Sequence, residues 1–292
     1  MKPVHILKIS EFRHEGSEDI HANTLENHLA TRHKDIAEPH SHNFYLAILF
    51  IKGHGRHEID FTDYEVKPGA LFFLNPGQTH YWKLSADTEG YIFFHTRDFF
   101  EAWFTANELR SFPFFYSMHS KPVVYLNQDA LTEATHYFKK ILEEFTNEKA
   151  WKKNAILCYI NLLYVQATRW FDEDILPIAE NNNGYYQRFR QFEDLIETHF
   201  VTEKSPGFYA DKLAITLRHL NRISQNITGK PAGDIIAGRI VLEAQKELAL
   251  HRGNFKKIAE MLGYEDYAYF SRFFKNNTGE TPSAFAKRYT NK

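Results

Sequence analysis

Apolar and polar positions divide the chain into three textures. Between His40 and His95, short apolar runs (NFYLAILFI, RHEIDF, YEV, ALFFL, HYWKL, GYIFFH) alternate with KGHG, KPG, NPGQ and SADTEG. The separators are turn chemistry, and short strands at this spacing predict a sandwich or barrel. VVYL at 123–126 reads as one further strand. The period then lengthens. Residues 131–145 and 150–171 carry apolar positions at helical spacing, Ile156, Tyr159 and Leu163 among them, and predict two antiparallel helices joined at 146–149. PIAENNNG at 177–184 holds a proline, three asparagines and a glycine, and predicts a linker. Everything after it reads as short helices with turns.

The last hundred residues contain a duplication. In 209–229 and 258–279, Ala210 matches Ala259, Leu213 matches Leu262 and Ala214 matches Gly263 at an offset of 49. Thr216 and Asp266, Leu220 and Phe270, Arg222 and Arg272, Asn226 and Asn276, and the two Thr-Gly pairs then match at an offset of 50. Each copy has the physics of a helix-turn-helix. A small residue allows close helix approach, and a second small residue at the turn suits a positive φ. A capping Thr216 or Asp266 follows, then a second helix that a glycine ends. The predicted buried faces are Leu220, Ile223 and Ile227 in one copy and Phe270, Phe273 and Phe274 in the other. Arg218, His219, Asn221 and Arg222 then point outward, as do Tyr267, Ala268, Ser271 and Arg272, with Tyr269 between faces. Outward Arg and Asn near the start of a second helix suit base-edge reading, Arg on guanine and Asn on adenine. Between the copies, residues 233–251 read as one rod about 28 Å long, near one DNA turn of about 34 Å.

Charge agrees with that division. The net charge of −2 hides 17 Lys+Arg against 12 Asp+Glu from Tyr185 onward, so that the front half is acidic and the tail basic. A basic tail suggests a polyanion partner. Of 16 histidines, 13 precede Gly184. Aromatics make up 16% of the chain, which favours large filled cores or an aromatic-framed pocket. The single cysteine, Cys158, excludes an internal disulfide, fits a reducing cytoplasm, and reads as a small buried hydrophobe in an apolar helical run. No run is long and apolar enough for a membrane span, and no signal peptide is apparent.

The tail resembles the DNA-binding domain of the AraC/XylS family of bacterial transcription regulators. The resemblance rests on the two copies, on the linking helix with Arg239 and Ala244, and on IAEMLGYEDYAYFSRFFKNNTGETPSAFAKRY, and it covers about 189–289. It implies base contacts from Arg218, Asn221 and Arg222, with His219 a weaker candidate, and from Tyr267, Ala268, Ser271 and Arg272. It implies phosphate or helix-interface roles for Thr216, Lys275 and Arg239. Ser224-Gln225 depart from the usual Phe-Lys, and Ala214 departs at the turn.

The front half is similar to a cupin barrel, which precedes the DNA-binding half in AraC-type regulators. The matching residues are His40-Ser-His42 and Gly69-x5-Asn75-Pro76-Gly77-x2-His80. Metal-binding cupins supply a glutamate three or four residues past the second histidine, and here those positions are Leu46 and Ala47. We therefore expect no metal and no cofactor. GHGRH at 53–57 is accounted for by a hairpin turn. His40, His42, His80, Trp82 and His95 are the candidates to line a pocket for a small effector.

The expected fold is mixed: an all-β cupin-like barrel with two flanking helices over 1–176, a linker over 177–184, and an all-α tandem helix-turn-helix domain over 185–292. The expected protein is a non-enzymatic, sequence-specific regulator in the cytoplasm, a ligand-responsive activator. Its partners would be double-stranded DNA, RNA polymerase, a small-molecule effector and a second copy of itself, with no membrane partner. Two rivals are a metal-dependent cupin enzyme fused to a DNA-binding tail and a regulator that takes no ligand.

Overall fold

A computed structural model describes residues 5–12, 19–36, 39–104, 109–115, 121–171, 184–250 and 254–290. The chain forms two compact units, Met1–Glu180 and Asn181–Lys292. The linker expected at 177–184 falls outside the described residues except for Gly184, which opens a helix.

The first unit faces two five-stranded sheets against each other. One has the order β1 (His5–Leu7), β3 (His40–His42), β8 (His80–Leu84), β5 (Gly55–Ile59), β6 (Thr62–Val66). The other runs β10 (Val123–Tyr125), β7 (Ala70–Leu74), β4 (Tyr45–Lys52), β9 (Glu89–His95), β2 (Ile20–Thr24). β1 and β3 pair in parallel, and the remaining pairs are antiparallel. Helix α1 (Leu25–Ile36) follows β2, and a short α2 (Arg97–Glu101) follows β9. Helices α3 (Gln128–Thr146) and α4 (Lys152–Trp170) pack together, and α3 also lies against the second sheet. Asn127 starts α3 as its cap, accepting from the Ala130 N–H at 2.9 Å.

The second sheet has no solvent face at its centre, which explains why β4, β7 and β9 are nearly continuous apolar runs. Along β4, Leu46, Ile48 and Phe50 fill the space between the sheets, while Tyr45, Ala47 and Leu49 join the helical layer. In β9, Ile92 and Phe94 point inward and Phe93 points to the helices. Tyr164 of α4 is fully buried among Phe73, Phe93, Phe100, Phe112 and Phe114, with ring centroids 5.2–6.2 Å away. The aromatic excess is spent here.

The second unit is all helical: α5 (Gly184–His199), α6 (Pro206–Lys212), α7 (Leu217–Thr228), α8 (Ala232–Leu250), α9 (Phe255–Met261), α10 (Tyr267–Thr278) and α11 (Pro282–Thr290). The rod α8 touches both copies, burying Ile236, Ile240, Ala244 and Leu248.

Candidate DNA interface and barrel site

The duplication folds as two helix-turn-helix pairs, α6–α7 and α9–α10. Ala210 and Ala259 are buried where each pair crosses. Both turn residues take left-handed backbone, Ala214 at φ 53° and Gly263 at φ 74°, so the alanine departure keeps the geometry at some steric cost. Thr216 Oγ1 accepts from the His219 N–H at 3.2 Å, and Asp266 Oδ1 from the Tyr269 N–H at 2.7 Å. Gly229 and Gly279 end the second helices with φ 69° and 82°. In each copy the following backbone is tied back through Thr228 or Thr278.

The second helices expose Arg218 and Arg222 in the first copy, and Ala268, Tyr269, Arg272 and Lys275 in the second. The side chains of Arg218, Arg272 and Lys275 make no hydrogen bond or ion pair with any described residue, so their charges are available to a partner. Ser271 and Tyr267 are half-buried, and the Tyr267 ring lies 6.3 Å from Phe270. The buried faces differ in part from expectation. Ile227 and Phe273 are only half-buried, while Ser224 is fully buried at the position of Phe274. The Ser224 hydroxyl has no partner there.

Three of the expected site residues are engaged internally. Asn221 Oδ1 accepts from the Ala232 N–H at 3.0 Å, capping α8, so its acceptor is not open to an adenine. Arg239 is an interface residue. Its Nε bonds Glu197 at 2.8 Å, its Nη1 bonds Glu243 at 2.8 Å, and its guanidinium carbon sits 4.1 Å from the Phe200 ring centroid. Its side chain is 11% exposed, too little to meet a phosphate. Thr216 serves as a cap rather than as a free hydroxyl.

In the barrel, His40, His42, His80 and Trp82 come together as expected, and His57 joins them. Ring centroids lie 4.4 Å apart for His40 and His80, 5.1 Å for His42 and His80, and 5.1 Å for His57 and His80. Trp82 stands 5.3 Å from His57, its cross-strand partner. His21 and His28 are also buried, with rings 4.8 and 6.2 Å from Phe94. Sequence reading missed His57 because the glycines of GHGRH already explained a turn, although its alternation with Ile59 marks it as inward-facing.

Burial holds these imidazoles neutral. His42 is pushed down to about 3 by burial and by repulsion from His40, opposed by its bond to the Phe44 carbonyl. His57 is likewise held at about 3, and His80 well below its usual value, by burial first and neighbouring histidines second. His57 Nε2 and His80 Nδ1 share a proton at 2.9 Å, and His42 Nδ1 donates to the Phe44 carbonyl at 2.8 Å. That leaves His42 Nε2, His57 Nδ1 and His80 Nε2 buried without a partner. The bonds fix what each can do: His42 Nε2 is an acceptor, and the two ends of the His57–His80 pair are one donor and one acceptor. No group of three or more His, Cys, Asp or Glu among the described residues is arranged to hold a metal ion.

His95 does not join this cluster. It sits on the opposite face of β9, where Nε2 meets the Tyr164 hydroxyl at 2.7 Å and Nδ1 donates to the Thr96 carbonyl at 2.8 Å. A sheet covered on both faces gives no sequence signal for which alternate residues point inward. Cys158 is exposed on α4 rather than buried. No described helix is long and apolar enough to cross a membrane.

Comparison with known proteins agrees with both units. Residues 25–147 match the AraC-like ligand binding domain, and residues 209–288 match a helix-turn-helix domain. The chain is 23% identical over 255 residues to the HTH-type transcriptional activator RhaS of Mannheimia succiniciproducens, covering 85% of this chain and 89% of that protein. It is 21% identical over 253 residues to the HTH-type transcriptional activator RhaR of Escherichia coli, covering 86% and 87%. Among solved structures, ToxT of Vibrio cholerae aligns over 92% of this chain and 98% of its own, with 12% identity and a TM-score of 0.44. With a ligand-binding domain of this type ahead of the doubled helix-turn-helix, the chain belongs to the AraC family of DNA-binding transcription regulators.

Proposed function

We propose that the protein is a ligand-responsive transcription activator that reads two successive major grooves on one face of the duplex. The observation that carries this reading is the duplicated pair of second helices, each with an exposed arginine at the same position, Arg222 and Arg272. The rod α8, about 28 Å long, touches both copies and sets their spacing close to one DNA turn. Arg218, Arg222 and Arg272 carry base recognition, with Ser271 and Ala268 beside them, while Lys275 neutralises phosphate. RhaS and RhaR are transcriptional activators, and activation through contact with RNA polymerase in the cytoplasm is part of the same reading.

The effector sits against His42, His57, His80 and Trp82. Neutral imidazoles offering both donors and acceptors suit a small uncharged molecule bearing hydroxyl groups better than a strong acid or base. Effector binding favours one arrangement of the chain over another, and only a difference in affinity between them moves the equilibrium. A second copy docks through α4. Ala155, Cys158, Leu162, Val165 and Arg169 of α4 recur at intervals of three and four, the spacing of a coiled-coil seam, and Trp151, the residue just before the helix, extends the row by four. Trp151 and Leu162 are exposed at 77% and 47%. Two copies set antiparallel about this seam would place Cys158 against Leu162, Ala155 against Val165, and the Trp151 ring against Arg169.

The test is selection of binding sites from random-sequence DNA by the full chain, followed by footprinting. Protection of two adjacent major grooves on one face is expected. Arg222→Ala should cost about 1–3 kcal/mol at the selected site and relax preference at one base pair. Equal weakening on all sequences would refute the base-reading role.

A further inference from the structure

Tyr185 stands in the first turn of α5, five residues into the helical unit and outside both helix-turn-helix copies. Its ring nevertheless meets the reading helix of the first copy. The Arg222 guanidinium carbon lies 5.6 Å from the Tyr185 centroid, and the His219 ring meets Tyr185 edge-on at 5.6 Å. Arg222 Nη2 lies 3.4 Å from His219 Nδ1, which closes a three-residue loop across two helices. The second copy is built differently. Tyr269 replaces His219 there and packs on Tyr264 at 5.8 Å, while Arg272 has no hydrogen bond or ion pair among the described residues.

We propose that Tyr185 is a positioning residue for DNA recognition: it holds the Arg222 guanidinium, together with His219, in the orientation that reads a base. A free arginine loses rotamer freedom when it docks, and one already held over an aromatic face loses less. The inference rests on the reading of Arg222 as a base contact. It also gives the first turn of α5 a function, because any change of state that shifts this turn moves the arginine with it. The first copy is thereby adjustable through the first turn of α5.

The experiment uses the full chain and the DNA site it selects from random sequence. Single base-pair variants of that site and an unrelated duplex serve as competitors. Tyr185→Ala is expected to weaken binding to the selected site about threefold, with the loss confined to discrimination at the base pair that Arg222→Ala relaxes. Binding to unrelated DNA and the thermal midpoint of the helical unit should not change. Tyr185→Phe, which keeps the ring, should restore the wild-type preference. In an Arg222→Ala background Tyr185→Ala should add nothing. Equal weakening on selected and unrelated DNA, or full additivity with Arg222→Ala, would mean that Tyr185 only supports the helix and would overturn the proposal. If Arg222→Ala relaxes no base pair, the base-reading assignment fails and this proposal fails with it. If Arg222→Ala relaxes one and Tyr185→Ala leaves it untouched, this proposal alone fails.

Discussion

Gly263→Ala isolates the turn of the second copy, and its cost can be worked from the structure. Gly263 has φ 74°, and an alanine there would pay about 1–2 kcal/mol for left-handed backbone. The added Cβ would stand 2.0 Å from the Val201 carbonyl oxygen and 3.1 Å from its carbon. Both are backbone atoms, so the chain between α5 and α6 must move, which adds about 1–3 kcal/mol of overpacking. The sum, about 2–5 kcal/mol, is a large share of the total stability of a small domain. The matching turn of the first copy supplies the control. Ala214 already tolerates φ 53°, so Ala214→Gly should change stability by less than about 1 kcal/mol. Urea unfolding followed by circular dichroism at the helix band reads the effect. Tryptophan fluorescence is a built-in reference, because Trp82, Trp103, Trp151 and Trp170 all lie in the first unit. The helical transition should move to lower urea in Gly263→Ala while the fluorescence transition stays in place. A loss below about 1 kcal/mol would refute the reasoning, since it would mean that the turn yields without cost.

Acid should unfold the first unit before the second. His42 and His57 titrate near 3 and His95 near 4 when folded, against about 6.5 when unfolded. The unfolded chain therefore takes up protons that the folded chain refuses. Stability falls as pH drops below about 6.5, by up to about 1.4 kcal/mol per pH unit for each such imidazole. Stability of the first unit that is level between pH 7 and 5 would contradict this. Ser224→Ala removes a buried hydroxyl with no partner and should stabilise the second unit by about 1 kcal/mol, read as a higher urea midpoint. Leu162→Glu places a charge in the proposed seam of α4 and should convert a dimer to a monomer in sedimentation; an unchanged mass would remove that face from consideration.

The sequence spoke clearly wherever one residue pattern has one physical meaning. The six runs between His40 and His95 became β4 to β9 because alternation and turn residues specify strands directly. The duplication was legible because both copies must solve the same problem of a tight turn, a cap and a buried face. The short strands β1, β2 and β3 were not predicted. HSH and IHANT turn histidines inward, so the apolar alternation that announces a strand is missing from them. The exposed positions of the second helices were mostly legible as outward ones, but Asn221 and Arg239, whose side chains are engaged internally, were not separable from the candidate set. Ala232, the partner of Asn221, lies 11 residues away, and Glu197, which joins Arg239 beside its one-turn neighbour Glu243, lies 42 residues away, both beyond any local pattern. His95 was misplaced for a related reason, since both faces of its strand are covered.

That doubly covered strand has a mechanical consequence. Phe94 touches the histidine-lined interior, stacking on His21 at 4.8 Å, and the next residue, His95, is bonded to Tyr164 of α4. Neighbouring side chains on a stiff ribbon cannot be displaced independently inside close-packed surroundings. A push of a few tenths of an ångström on one side of β9 must therefore reappear on the other as a tug on the Tyr164 hydroxyl. The strand works as a through-wall lever, and whatever leans on it from within is felt by the helix outside.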